Sequence, residues 1–221
     1  SEVTPYVDGV KTYAVEGTPS DAVIVALESL ITDEVDLVVS GINQGANLGR
    51  DMLISGTVGA AQQAYSRDIN AIAISVAALI DVPYEPSAFV LRAIVENLIE
   101  DSSRDQNRSY MWHPARLQDG SHSWLMNVNL PKKNLDQLEG VAVTKVGKAL
   151  YLDQVEESDD VRSRYFWITR SHPSETEPEA TTDIAAIRKN RVSITMMEVT
   201  PPKDRSFESQ VYGLARDVQA I

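Results

Sequence analysis

The chain has 221 residues, of which 43% are hydrophobic, and this length suits one packed domain with or without an appended arm. Its formal net charge of −12 disfavours nucleic-acid polymers as partners, because clustered Lys and Arg side chains hold a phosphate backbone. The absence of cysteine excludes disulfides, thiolate catalysis and zinc–cysteine sites. No apolar run is long enough to span a bilayer and no leader peptide is recognised, so we expect a cytoplasmic protein without a membrane partner.

Strands and helices alternate along the first half of the chain. Thr18, Pro19 and Asp21 have the residue types of a helix start: an N-cap, a proline in the first turn and an acidic side chain near the positive helix end. The predicted strands are 10–15, 36–40 and 70–76, and the predicted helices begin at 18, 55 and 86, the last two ending at 67 and 101. This order predicts an α/β core with a mainly parallel sheet.

The second half is richer in predicted strands. These strands are 123–129, 141–146, 148–152, 164–169 and 192–198, with a short helix at 182–188. The three strands between 141 and 169 are expected to be antiparallel and separated by acidic turns such as 156–160. From 201 onward the sequence is polar and irregular, which predicts a tail without regular structure.

A glycine-rich segment, 40–49 (SGINQGANLG), follows directly after a predicted buried strand. Ligands bind at the carboxyl ends of strands in open parallel sheets, and glycines let a backbone approach a ligand closely. The side-chain oxygens of Asn43 and Asn47 suit a hard cation such as Mg²⁺ or Mn²⁺. A simple turn explains the same composition equally well, because Asn and Gly are common turn residues.

A second small-residue segment, 55–61 (SGTVGAA), has the pattern of a helix start. The hydroxyl of Ser55 or Thr57 can cap the helix, while the free N–H groups of its first turn attract an anion. Gly56 is interpreted as leaving room for phosphate oxygens. The alternative is a capped, closely packed helix without a ligand. The adjacency of a loop suited to a cation and a helix start suited to an anion favours a site for a metal and a phosphate.

Several blocks of this sequence, in order, resemble the signature blocks of the SurE family, the stationary-phase survival protein E nucleotidases. The blocks are 17–21 (GTPSD), 40–49, 55–61, 127–131 (NVNLP), 144–151, 182–186 (TDIAA) and 192–195 (VSIT). The resemblance implies a 5′/3′-nucleotidase that requires a divalent cation, Mg²⁺ or Mn²⁺, and that in some members also hydrolyses short polyphosphate. The implied substrate is a nucleoside monophosphate.

The resemblance also implies an architecture and an assembly. It predicts a Rossmann-like three-layer core in 1–135, a C-terminal antiparallel β-hairpin arm in 136–170, and a return to the core with an oligomerisation tail in 171–221. Homodimers or homotetramers are expected to form by exchange of C-terminal elements. The aromatic segment 165–167 (YFW) is expected to pack at a subunit contact.

The resemblance assigns roles to four residues of the site. Asn43 matches the family's asparagine metal ligand, and Ser55, Gly56 and Thr57 match the loop that contacts the phosphate. The family's opening block, a strand followed by Asn-Asp-Asp-Gly, is not found in these 221 residues. Its two aspartates and a following serine are metal ligands, so the catalytic residues are unknown in this chain and are expected upstream of Ser1.

A second hypothesis belongs to a different functional class. A relative that lacks the metal carboxylates would be a catalytically impaired, oligomeric protein that binds nucleotide or phosphate without hydrolysing it. Asp51 lies close to the glycine-rich segment, but it is interpreted as a solvated loop carboxylate rather than a replacement ligand.

Overall fold

The computed structural model describes residues 1–5, 7–104, 123–148, 153–157, 165–170 and 178–197. The helices are α1 (Pro19–Val25), α2 (Gly56–Tyr65), α3 (Tyr84–Arg104) and α4 (Asp183–Arg188). The strands are β1 (Leu37–Gln44), β2 (Asn70–Ala77), β3 (Leu125–Pro131), β4 (Val141–Thr144), β5 (Asp153–Glu157), β6 (Phe166–Arg170) and β7 (Val192–Met197). Short helical turns cover Ala26–Leu30, Gly49–Ile54 and Leu135–Gln137.

Five strands form the main sheet, in the order β1-β2-β3-β7-β4. β1, β2 and β3 are parallel, β7 is antiparallel to β3, and β4 is parallel to β7. β5 and β6 form a separate antiparallel pair. The fold is therefore an α/β arrangement around a mainly parallel mixed sheet, with an additional antiparallel strand pair, as the sequence predicted.

Helices cover both faces of the sheet, which gives three layers. On one face α3 packs on a cluster of fully buried residues that includes Ile72 and Ile74. On the other face α2 packs through Ala61 and Ala64 against small residues of β2. Each fully buried Ile or Leu side chain contributes about 1.5–3 kcal/mol. Because the alternate residues of β2 belong to these two clusters, the strand is buried on both sides, as a central parallel strand must be.

The predicted start of α1 is confirmed in detail. The Thr18 hydroxyl accepts a hydrogen bond from the Asp21 N–H, and the Asp21 carboxylate accepts one from the Thr18 N–H at 2.7 Å. Pro19 occupies the first helical position, where no intrahelical donor is lost. The backbone hydrogen bond from Thr18, followed by that from its hydroxyl, lowers the pKa of Asp21 below its ordinary value of 3.8, while desolvation acts in the opposite direction.

Three predicted strands differ from the structure. The run 10–15 is not a strand; within the described part of the chain its β contact is an isolated bridge between Glu2 and Tyr13. β4 is not an antiparallel strand of the hairpin, because it pairs in parallel with β7 at the edge of the main sheet. β1 was predicted to be a buried strand, but it lies at the edge of the sheet and none of its residues is fully buried. It also extends to Gln44, so the first residues of the predicted glycine-rich loop belong to the strand. Most of the strand predicted at 148–152, most of the acidic turn and the polar tail lie outside the described residues.

Candidate functional site

The carboxyl end of β1 places Asn43 at the edge of the sheet. Asn43 pairs with Ser75 of the neighbouring strand, and its amide nitrogen donates to the Gly45 carbonyl at 2.9 Å. The Gly45 N–H in turn donates to the carbonyl of Val76 at 3.0 Å. These two bonds fix the Asn43 amide, whose oxygen has no hydrogen-bond partner within the described part of the chain. Asn43 is half-buried and can therefore offer one neutral oxygen to a ligand.

Asn47 belongs to a buried polar network rather than to a free ligand set. Its backbone N–H donates to the side-chain oxygen of Asn129 at 2.9 Å, and its carbonyl accepts from the side-chain nitrogens of Asn129 at 3.0 Å and Asn127 at 2.9 Å. Its own amide nitrogen donates to the Ser75 hydroxyl at 2.7 Å. Because all four residues are buried, these hydrogen bonds hold the loop firmly against β2 and β3. The side-chain oxygens of Asn43 and Asn47 both lack a hydrogen-bond partner among the described residues, but Asn47 is buried whereas Asn43 is half-buried.

The loop is also attached to α4. The fully buried carboxylate of Asp183 accepts hydrogen bonds from the N–H groups of Gly49 at 2.8 Å, Gly147 at 2.9 Å and Ile184 at 2.8 Å. Gly49 has φ +55°, and an added Cβ would collide with the carbonyl oxygen of Lys148. This position therefore requires glycine on two grounds: backbone conformation and the close approach of another chain segment.

The start of α2 has the free donors that an anion requires. The Ser55 hydroxyl accepts from the Val58 N–H at 3.2 Å, which confirms the predicted cap. The N–H groups of Gly56 and Thr57 and the Thr57 hydroxyl find no partner among the described residues. α2 has ten residues, so its aligned peptide dipoles place partial positive charge at these donors.

The glycines of α2 allow close packing against α1. A Cβ at Gly56 would lie 3.2 Å from the ring of Pro19, and one at Gly59 would lie 3.2 Å from the hydroxyl of Ser20. Their small size therefore permits the close contact between α1 and α2. The interpretation that Gly56 also leaves room for phosphate oxygens stays a prediction.

The described residues do not by themselves fit a divalent cation. Within the ranges that the structure covers, no three His, Asp or Glu side chains lie close enough together to hold a metal ion. Mg²⁺ is octahedral and is usually bound through one or two carboxylates together with water and phosphate oxygens. A single neutral oxygen on Asn43 is too little for this purpose.

A comparison with family models decides the family. The model described as "Survival protein SurE" matches residues 2–153. This chain belongs to the SurE family. A protein named 5'-nucleotidase SurE from Dehalococcoides mccartyi is 38% identical over 211 residues, which cover 95% of this chain and 71% of the relative. One with the same name from Desulforamulus reducens is 33% identical over 215 residues, covering 96% and 77%.

A solved structure supports the SurE assignment. The crystal structure of the SurE protein from Aquifex aeolicus matches with a TM-score of 0.69 at 27% identity, covering 89% of this chain and 73% of that one. Within the described ranges of this SurE-family chain, no helix combines the length and the apolar character needed to cross a membrane.

Part of the framework of this SurE-family site was predictable from the sequence. Asn43, near the end of β1, and Ser55, which caps α2, are joined by one connecting segment, so their proximity in sequence was informative. The supporting roles of Asn129 and Asp183 were not predicted, although both lie in the blocks that resemble the family. A usable signal for Asn129 was its place with Asn127 as the polar residues of a strand that is otherwise apolar.

Proposed function

We propose that this chain is part of a metal-dependent phosphomonoesterase that hydrolyses nucleoside 5′- and 3′-monophosphates and also short polyphosphate. The observation that carries the proposal is the set of groups without hydrogen-bond partners among the described residues at the two ends of the segment between β1 and α2. These groups are the Asn43 amide oxygen and the N–H groups of Gly56 and Thr57. Relatives named 5'-nucleotidase, aligned over nearly the whole chain, support the nucleotidase part of the proposal.

The phosphate is proposed to bind at the start of α2. The N–H groups of Gly56 and Thr57 and the Thr57 hydroxyl donate to phosphoryl oxygens, and Ser55 caps the same turn. These donors are fixed before substrate arrives, so they stabilise charge on the phosphoryl group without reorganising during the reaction. Because the chain carries a net charge of −12, this local attraction has to outweigh a long-range repulsion of anions.

We propose Mg²⁺ or Mn²⁺ as the cofactor, with Asn43 as one ligand. The proposal requires carboxylate ligands from outside the described residues, since those described contain no suitable cluster. Such a cation supplies a Lewis acid beside the phosphate. The contribution of this chain is the position of the Asn43 oxygen, which the bonds around Gly45 determine.

A homodimer or homotetramer is proposed from the exposed apolar side chains of the β5–β6 pair. Val155, Trp167 and Ile168 are 66%, 63% and 77% exposed. Val155 pairs with Ile168, while Trp167 lies at the next position along the strand, so apolar side chains occupy both faces. An isolated two-stranded hairpin is marginally stable in water, and contact with a second copy would cover both faces. We also propose a cytoplasmic location, with which a chain without cysteine is compatible.

The decisive experiment measures phosphate release from 5′-AMP, 3′-AMP and tripolyphosphate by the full-length protein with Mn²⁺, with Mg²⁺ and with EDTA. We expect release from all three with either metal and none with EDTA. Metal-independent release would contradict the cofactor assignment. Binding of AMP without release under any condition would instead support the alternative, a catalytically impaired nucleotide-binding relative.

A further inference from the structure

Two large aliphatic side chains are exposed to solvent beside the candidate site. Leu79 and Ile80 lie in the turn between β2 and α3 and are 60% and 73% exposed. β2 is parallel to β1, so the turn that follows it lies at the same edge of the sheet as Asn43. Two adjacent exposed aliphatic residues in a turn need an explanation, because turns usually carry polar residues.

The turn is held in place by side chains from both neighbouring strands. The Gln44 amide, at the end of β1, donates to the Leu79 carbonyl. The Lys132 ammonium, which follows β3, donates to the Ile80 carbonyl at 2.6 Å. The Ala78 N–H adds a bond to the carbonyl of Val76 at 2.7 Å. The aliphatic pair is therefore presented to solvent by a turn whose backbone is anchored on three strands.

Leu79 lies close to Gly45, which follows β1 and is near the proposed metal ligand Asn43. Its Cδ2 atom lies 3.3 Å from the position that a Cβ of Gly45 would occupy, and the Asn43 amide nitrogen lies 3.8 Å from the same point. A side chain at position 45 would therefore displace Leu79, and the glycine allows this contact. The leucine forms an apolar surface directly next to the polar part of the site.

We propose that Leu79 and Ile80 form the surface against which the base of the nucleotide packs. This inference rests on the proposed function and adds the group that distinguishes a nucleotide from a simple phosphate ester. A nucleoside monophosphate has a charged end, which the start of α2 binds, and a planar base with apolar faces. Small-molecule sites combine a few polar groups with apolar walls in this way. A base that covers the two aliphatic side chains removes their apolar surface from water, which favours binding.

The test compares 5′-AMP with ribose 5-phosphate, which has a hydroxyl group in place of the base, using the full-length protein and Mn²⁺. In the double variant Leu79→Ser, Ile80→Ser we expect kcat/KM for AMP to fall about tenfold, from the loss of apolar contact. The value for ribose 5-phosphate is expected to stay within about twofold, which also shows that the variant folds. Val143→Ser is the matched control, because Val143 is 81% exposed on β4, at the far edge of the sheet.

The outcomes separate this inference from the proposed function. An equal fall for both substrates, or no change for either, would overturn the role of Leu79 and Ile80 in base binding while leaving the phosphatase proposal intact. If the unsubstituted protein hydrolyses neither substrate, the proposed function fails, and the assignment of the base contact fails with it.

Discussion

The carboxylate of Asp183 accepts a hydrogen bond from the backbone N–H of Gly49 at 2.8 Å, although 134 positions separate the two residues. The same carboxylate accepts from Gly147, so one fully buried side chain joins the site loop, the segment after β4 and the start of α4. The backbone supports one of these connections, because the Asp183 N–H donates to the Lys145 carbonyl at 3.0 Å. Asp183 therefore adds a long-range attachment to the loop between β1 and α2, beside the hydrogen bonds of Asn47.

Asp183→Asn tests this dependence. The amide offers one acceptor oxygen where the carboxylate offers two, and its NH₂ group would face a backbone donor. Losing a hydrogen bond to a charged group and leaving a buried donor unsatisfied each cost about 1–3 kcal/mol. We therefore expect the free energy of unfolding to fall by about 2–4 kcal/mol. Urea denaturation measures the loss. Asp36→Asn is the control, since Asp36 is exposed, and a loss equal in both variants would contradict the role of Asp183.

Gly49→Ala tests the close approach at the same loop. Gly49 has φ +55° and its added Cβ would meet the Lys148 carbonyl, whereas Gly140 has φ +95° and open space around its Cβ position. Gly140→Ala therefore measures the backbone cost alone, which we expect to be about 1–2 kcal/mol. Gly49→Ala should cost about 2 kcal/mol more, because the loop must also move away from Lys148. Equal losses in thermal unfolding would show that the collision is relieved without cost.

Elements specified by neighbouring residues were predictable from sequence. Thr18, Pro19 and Asp21 determine the start of α1 through contacts within one turn, and the structure has the cap as predicted. β4 was misassigned for the opposite reason. Val141 to Thr144 form a short β-type run that fits any half-buried strand, and its partner, β7, lies about 50 residues further along the chain. Partner choice depends on that long-range packing, which local pattern does not encode.

The residues of the candidate site also divide into those that the local pattern predicts and those that depend on long-range packing. Asn43 and Thr57 were found because they lie near the end of β1 and at the start of α2, the two elements that one glycine-rich segment connects. Asp183 was missed because its local pattern is already explained: it follows the cap Thr182 and starts a helix, a place where acidic residues are common. Only the folded chain shows that its carboxylate contacts two distant glycines.

Asn43→Ala tests the proposed metal ligand. Removal of the amide oxygen should raise the Mn²⁺ concentration needed for half-maximal AMP hydrolysis by about tenfold or more, with recovery at high Mn²⁺. The measurement is a Mn²⁺ titration of activity after treatment with EDTA. Asn97→Ala is the matched control, because Asn97 is an exposed asparagine on α3 whose amide bonds only to the Ala93 carbonyl. Identical Mn²⁺ curves for wild type and Asn43→Ala would rule out the ligand role.

Thr57→Val tests the phosphate site without altering the shape of the side chain. The hydroxyl has no partner among the described residues, so its loss should leave the thermal midpoint nearly unchanged. If it donates to a phosphoryl oxygen, KM for AMP should rise by about tenfold, the value of one hydrogen bond to a charged group. Thr32→Val provides the control at an exposed threonine outside the site. An unchanged KM would remove the Thr57 hydroxyl from the donor set.

Asp21→Asn tests the capping box at the start of α1 through its pH dependence. The hydrogen bonds from Thr18 lower the pKa of Asp21 in the folded protein below its ordinary value of 3.8. The carboxylate therefore stabilises the fold fully above that value, and the contribution disappears as the pH falls through the lower folded pKa. The wild-type melting temperature should fall more steeply than that of Asp21→Asn below about pH 4, and the two curves should converge in acid. Glu16→Gln controls for the loss of one exposed negative charge. If the melting temperatures of wild type and Asp21→Asn fell in parallel below pH ~4, the Asp21 carboxylate would not stabilise this helix start.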